Sequence, residues 1–147
     1  MKGESFTLPG GFVAGAVHAG LKKEGMLDLG ILFCENPCVA AGVFTQNRIK
    51  AAPVILSRER LRKVRPRALV VNSGCANACT GERGFKDAVR MSEFVAEKLA
   101  ISPEEVLVAS TGVIGQYLPM EKIRSGIGRI TLSKEGGGAF ALSLIHI

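Results

Sequence analysis

"RALVVNSGCANACTGERGFKDAVRMSEFVAEKLAISPEEVLVAS", residues 67–110, decides the fold class. Its apolar opening, 67–72, reads as a strand, and so does its close, 105–110. Between them, 84–100 reads as a helix. Phe85, Ala88, Val89, Val95 and Leu99 fall on one stripe, while Lys86, Asp87, Arg90, Glu93 and Glu97 lie mostly off it. Ser102 and Glu105 have the spacing of a capping box. The stretch is therefore a strand-helix-strand unit.

Working outward, further strands are expected at 12–19, 28–34 and 38–46, with "ENP" at 35–37 as a hairpin turn between the last two. "APVILSRERLRK", 52–63, reads as a helix with Pro53 in its first turn. Another helix starts at Pro119, and Gly126 and Gly128 weaken its second half. The pattern is mixed α and β, with no internal repeat and no linker.

Composition bounds the class. The chain has 147 residues, 47% apolar and 22% charged, with 18 glycines. That length suits one domain able to bury about two-thirds of its unfolded surface. The apolar fraction excludes a disordered chain. No apolar run is long enough to cross a bilayer, and "MKGESFTLPGGFV" carries no signal-type apolar region. A cytoplasmic location without membrane association is expected, and the cysteines are read as thiols.

The net charge is +6, and six basic residues crowd into Arg58–Arg67. No aromatic residue is interleaved and no RNP-type pattern is present. A solvated helix face is preferred to a nucleic-acid surface. Cys34 and Cys38, like Cys75 and Cys79, stand four apart. Redox pairs use two intervening residues, and zinc knuckles two or three. The favoured reading is small packing thiols, with no metal and no cofactor; a four-thiolate zinc site stays open. His18, in an apolar stretch, is read as structural. The P-loop pattern is absent.

Two strands end in small polar residues: "NSGCANACTG" at 72–81 and "STG" at 110–112. Small residues let a backbone or a substrate approach closely. Thr111 offers a hydroxyl and a backbone N–H, and Gly112 an unobstructed N–H. Adjacent donors of this kind can hold an oxyanion in acyl transfer.

"GFVAGAVHAGLK", "AGVFTQNRIKAAPV", "LVVNSGCANACTGERG", "VLVASTGVIG" and "LPMEKI", in this order, closely resemble the ornithine acetyltransferase (glutamate N-acetyltransferase, ArgJ) family, from Phe6 to Ala141. The resemblance implies an α+β fold, part of a layered αββα sandwich. It implies a self-cleaving precursor whose new N-terminal threonine carries acetyl from N-acetylornithine to glutamate, and in some members from acetyl-CoA. It implies processed chains that pair and assemble into homo-oligomers. Carried over, Thr111 and Gly112 match the oxyanion hole. Many members have Asn at Cys75, which argues against a metal role there.

The family's nucleophile and substrate-binding residues lie downstream, and Thr45, Thr80, Thr111 and Thr131 are no substitute for that nucleophile. Residues 1–141 are therefore expected to be the N-terminal portion of the α chain, with the remainder and the β chain as partners. "LSLIHI", 142–147, reads as a translated sequencing adaptor, and His146 belongs to it. Alone, such a fragment is expected to be inactive and marginally stable, with sheet faces exposed. The alternatives are a related self-processing aminopeptidase and a non-catalytic zinc- or nucleic-acid-binding module.

Overall fold

The computed structural model describes residues 7–137, 139 and 140. The expected tail at 142–147 lies outside the described residues. Among the described residues, four strands form one sheet in the order β1-β2-β3-β4. Strands β1 (Phe12–Val17) and β2 (Leu29–Cys34) pair antiparallel, with Val17 opposite Leu29. Strand β3 (Ala68–Cys75) runs antiparallel to β2 and parallel to β4 (Val106–Val113). Helix α2 (Gly81–Leu99) makes the crossover between β3 and β4, as the strand-helix-strand reading requires. Helix α1 (Ala52–Lys63) starts with Pro53 in its first turn, and α3 (Met120–Arg129) follows β4. In the turn Pro103–Glu105, the Glu105 carboxylate accepts the Ser102 N–H at 3.1 Å.

Alternation along the strands fixes two unlike faces. Leu29, Ile31, Ala68, Val70, Val106 and Val108 pack against the helices in the main core. The opposite face carries Ala14, Leu32, Leu69, Val71 and Ala109, with Leu8 and Phe140 against it. Leu32, Leu69 and Ala109 are only half-buried there. Helix α2 buries Ala88, Met91, Phe94, Val95 and Ala96. Phe85, Val89 and Leu99, also expected on its stripe, flank that core half-buried. At the stripe's margin, burial pushes the Asp87 carboxyl up, and Arg83 partly opposes the shift.

The expected strand at 38–46 and its "ENP" hairpin are corrected. That segment is irregular, and Val43 is 100% exposed. The physical reason is competition for edges. β1 and β3 already occupy both sides of β2. Half of the β4 edge is taken by side chains of α1. The Ser57 hydroxyl donates to Val108 C=O at 2.7 Å and accepts Val108 N–H at 2.9 Å. The Arg60 guanidinium donates to Val106 C=O. Burial lowers the Arg60 pKa, while Glu104 and Glu93 counter that. The early hairpin instead joins β1 to β2 through residues 18–28.

Ser57→Ala removes both contacts at once and leaves Val108 with two buried unmet groups. The expected cost is about 1–3 kcal/mol, read as a lower urea midpoint with unchanged slope. Ser57→Thr, which keeps the hydroxyl, should recover part of it.

Candidate active site

The two small-residue segments meet side by side. The register pairs Asn72 with Ser110, Ser73 with Thr111 and Gly74 with Gly112. Thr111 and Gly112 therefore lie inside β4, which runs three residues beyond the expected end at 110.

Gly74 and Gly112 hold the two backbones unusually close. A Cβ on Gly112 would stand 2.3 Å from the Gly74 carbonyl carbon and 2.6 Å from Cys75 N. A Cβ on Gly74 would stand 2.8 Å from Leu21 O. Their φ values are +129° and +104°, a region that L side chains rarely adopt. Leu21 belongs to the 18–28 loop, so that loop, β3 and β4 stack as three backbones at one point.

Asp28 fastens the loop. Its carboxylate is fully buried and accepts four backbone N–H groups: Ala19 at 2.6 Å, Gly20 at 3.1 Å, Leu21 at 2.7 Å and Lys22 at 3.0 Å. His18 Nδ1 lies 3.3 Å from the same carboxylate and 2.7 Å from Met26 O. His18 sits just beyond β1 rather than within it. Asp28 C=O accepts the Ser73 N–H at 2.8 Å, which ties the loop to β3 beside Gly74. Reading the sequence missed Asp28. Its partners are backbone groups, which leave no residue-type signal.

The ladder fixes where each backbone group points. Ala76 N–H donates to Val113 C=O at 2.9 Å. Odd-numbered β4 residues therefore turn their backbone groups toward β3, and even-numbered ones toward the free edge. Val106 and Val108 on that edge meet α1. Ser110 and Gly112 lie past its reach. Alternation puts the Thr111 side chain beside Ser73 on the face away from the helices.

Asn72 Oδ1, Ser73 Oγ, Ser110 Oγ and Thr111 Oγ1 are buried without a hydrogen-bond partner. They form two cross-strand pairs, one on each face of the same strand ends. Buried polar atoms are almost always partnered, which makes this cluster a candidate site.

The rest of the small-residue stretch is scaffold. Asn77, fully buried at φ 47°, donates to Gly84 C=O at 2.8 Å and accepts the Thr80 hydroxyl at 2.8 Å. The buried Cys75 thiol donates to Gln116 C=O at 3.3 Å. Cys38 donates to Pro66 C=O at 3.2 Å, and burial together with its Cys34 neighbour pushes its thiol pKa up. All four cysteines are free. Among the described residues, no cluster of three or more His, Cys, Asp or Glu could hold a metal. No helix among them is long and apolar enough to cross a membrane.

A mixed sheet with helices on one face, and paired glycines beside unpartnered hydroxyls at its end, is an α+β frame with a candidate site at the strand ends. The ArgJ family model matches residues 13–144. The arginine biosynthesis bifunctional protein ArgJ of Dehalococcoides mccartyi is 50% identical over 143 residues, 96% of this chain and 35% of the relative. That of Thermotoga neapolitana is 57% identical over 122 residues, 82% of this chain and 30% of the relative. The chain thus spans about a third of the length of these relatives. The crystal structure of ornithine acetyltransferase complexed with ornithine from Mycobacterium tuberculosis matches with a TM-score of 0.91 and 42% identity. That match covers 98% of this chain and 80% of the other. The ArgJ structure from Bacillus halodurans matches at 0.87 with 38% identity, covering 97% and 80%. The chain belongs to the ArgJ family.

Proposed function

We propose that residues 1–141 are the N-terminal portion of the α chain of an acetyltransferase that moves acetyl from N-acetylornithine to glutamate, and that Thr111 and Gly112 form its oxyanion hole. The supporting observation is the unpartnered Thr111 Oγ1 next to a Gly112 N–H that faces the free edge of β4. Thr111 acts through its hydroxyl, because its own N–H is turned into the ladder with β3. Gly112 acts through its backbone N–H, with no side chain to block the approach.

On this reading the nucleophilic threonine comes from the remainder of the polypeptide. Its oxygen attacks the acetyl carbonyl, and the carbonyl oxygen becomes an oxyanion that receives both donors. Collapse of the adduct breaks the C–N bond, releases ornithine as the amine and leaves acetyl-threonine. The glutamate α-amine then attacks that ester through a second oxyanion at the same place, and its collapse breaks the ester C–O bond, releasing N-acetylglutamate while the proton lost by the amine returns the threonine to its hydroxyl. Preformed donors are effective because they do not reorganise as charge develops.

The test is Thr111→Ala in the enzyme that contains both this chain and the nucleophile, assayed with N-acetylornithine and glutamate. The expected loss in kcat is about 10²–10³, with little change in thermal midpoint. Thr111→Ser should keep most of the rate. An unchanged kcat in Thr111→Ala would overturn the assignment.

A further inference from the structure

Of the four unpartnered polar atoms at the strand ends, the oxyanion reading uses only Thr111 Oγ1. Ser73 Oγ is the one that shares its face. Ser73 stands opposite Thr111 in the parallel β3–β4 register, and side-chain alternation turns both away from the helices. Asn72 and Ser110 form their pair on the other face. Ser73 is fully buried, and its N–H donates to Asp28 C=O at 2.8 Å. Its hydroxyl has no partner among the described residues. The backbone of Ser73 is therefore held firmly, while its one rotatable polar atom is uncommitted.

A buried hydroxyl without a partner costs stability, and alanine at the same place would not. Residues that break such a rule concentrate at functional sites. The chemistry of Thr111 supplies a use for this one. Thr111 has a single hydroxyl proton. When that proton goes to an oxyanion, the Thr111 oxygen still has a lone pair open to a donor. Neighbouring strands stand about 4.8 Å apart. At that spacing a change of χ1 rotamer brings two facing hydroxyls into hydrogen-bond range.

We propose that Ser73 is a positioning residue for the oxyanion hole: its hydroxyl donates to Thr111 Oγ1 and thereby aims the Thr111 proton at the oxyanion. This rests on the reading of Thr111 as an oxyanion donor. The chain runs from Ser73 O–H to Thr111 O–H to the oxyanion, and each bond polarises the next. No proton changes its oxygen. Ser73 acts through Thr111 and not on the substrate.

The experiment is a double-mutant cycle in the enzyme that contains both this chain and the nucleophile. Steady-state kinetics with N-acetylornithine and glutamate are measured well below the thermal midpoint. Ser73→Ala should lower kcat about tenfold, the worth of one hydrogen bond, with KM little changed. Its thermal midpoint should hold or rise, because an unpartnered buried hydroxyl is removed. A purely structural residue would do the reverse, with a lower midpoint at unchanged kcat. Ser73→Cys replaces one atom and keeps a weak S–H donor, so it should recover part of the rate. In the Thr111→Ala background, Ser73→Ala should cost nothing further, since the group it acts through is gone.

An unchanged kcat in Ser73→Ala, a lowered thermal midpoint, or an equal loss of rate in both backgrounds overturns the proposal. If Ser73→Ala keeps its rate while Thr111→Ala loses it, the oxyanion hole stands without Ser73. If Thr111→Ala keeps its rate, the oxyanion reading falls and takes this one with it. Which single variant keeps its rate therefore tells the two failures apart.

Discussion

Gly112→Ala is expected to be among the most damaging single substitutions in the chain. The new methyl would meet backbone, 2.3 Å from the Gly74 carbonyl carbon, and a backbone contact cannot be relieved by a rotamer change. The φ of +129° adds strain for any residue with a Cβ. Strain of about 1–3 kcal/mol and overpacking of about 1–3 kcal/mol give a loss of about 2–6 kcal/mol. Gly115→Ala separates the two effects. Gly115 has φ +81° but open space around its Cβ position, so it should show the strain alone. The comparison is made by urea unfolding. Equal costs for the two variants would refute the close approach of β3 and β4.

Asp28→Ala is the second large effect. It strips four backbone N–H groups of their acceptor, a carboxylate with no solvent exposure. The expected loss is about 3–5 kcal/mol. Asp28→Asn keeps one carbonyl oxygen and should lose less. His18→Ala touches the carboxylate from one side only and should cost the least of the three. Amide hydrogen exchange gives the diagnostic readout. Residues 19–22 should lose protection before the β3–β4 ladder does. If protection at 19–22 survives in Asp28→Ala, the loop is held by something other than this carboxylate.

Most elements were legible before the structure. Helix α1 matches the expected range 52–63, because Pro53 marks its start and Pro66 limits its extension. The parallel crossover over 67–110 followed from one amphipathic helix between two apolar runs. The ends of β3 and β4 were misjudged by about three residues. Small polar residues usually mark turns, but here they continue the strands because a facing backbone accepts them at close range.

The segment 38–46 shows the limit more clearly. Its alternation of apolar residues is real, but a strand needs a partner edge, and competition for edges is not written in any one segment. Ser57 and Arg60 take part of the available edge from 46–51 residues away in sequence.

For the site, the chemistry of Thr111 and Gly112 was visible as residue types, and the motif order pointed to the family. The amino-acid sequence by itself determined the α+β class, helices α1, α2 and α3, the crossover unit and the candidate oxyanion donors. These depend on local periodicity, on proline and glycine, and on residue chemistry. Tertiary structure alone decided which backbone groups of β4 are free, why Gly74 and Gly112 admit no side chain, and how Asp28 gathers four backbone N–H groups of the loop. These depend on distances between segments far apart in the chain, and on backbone partners that carry no residue identity.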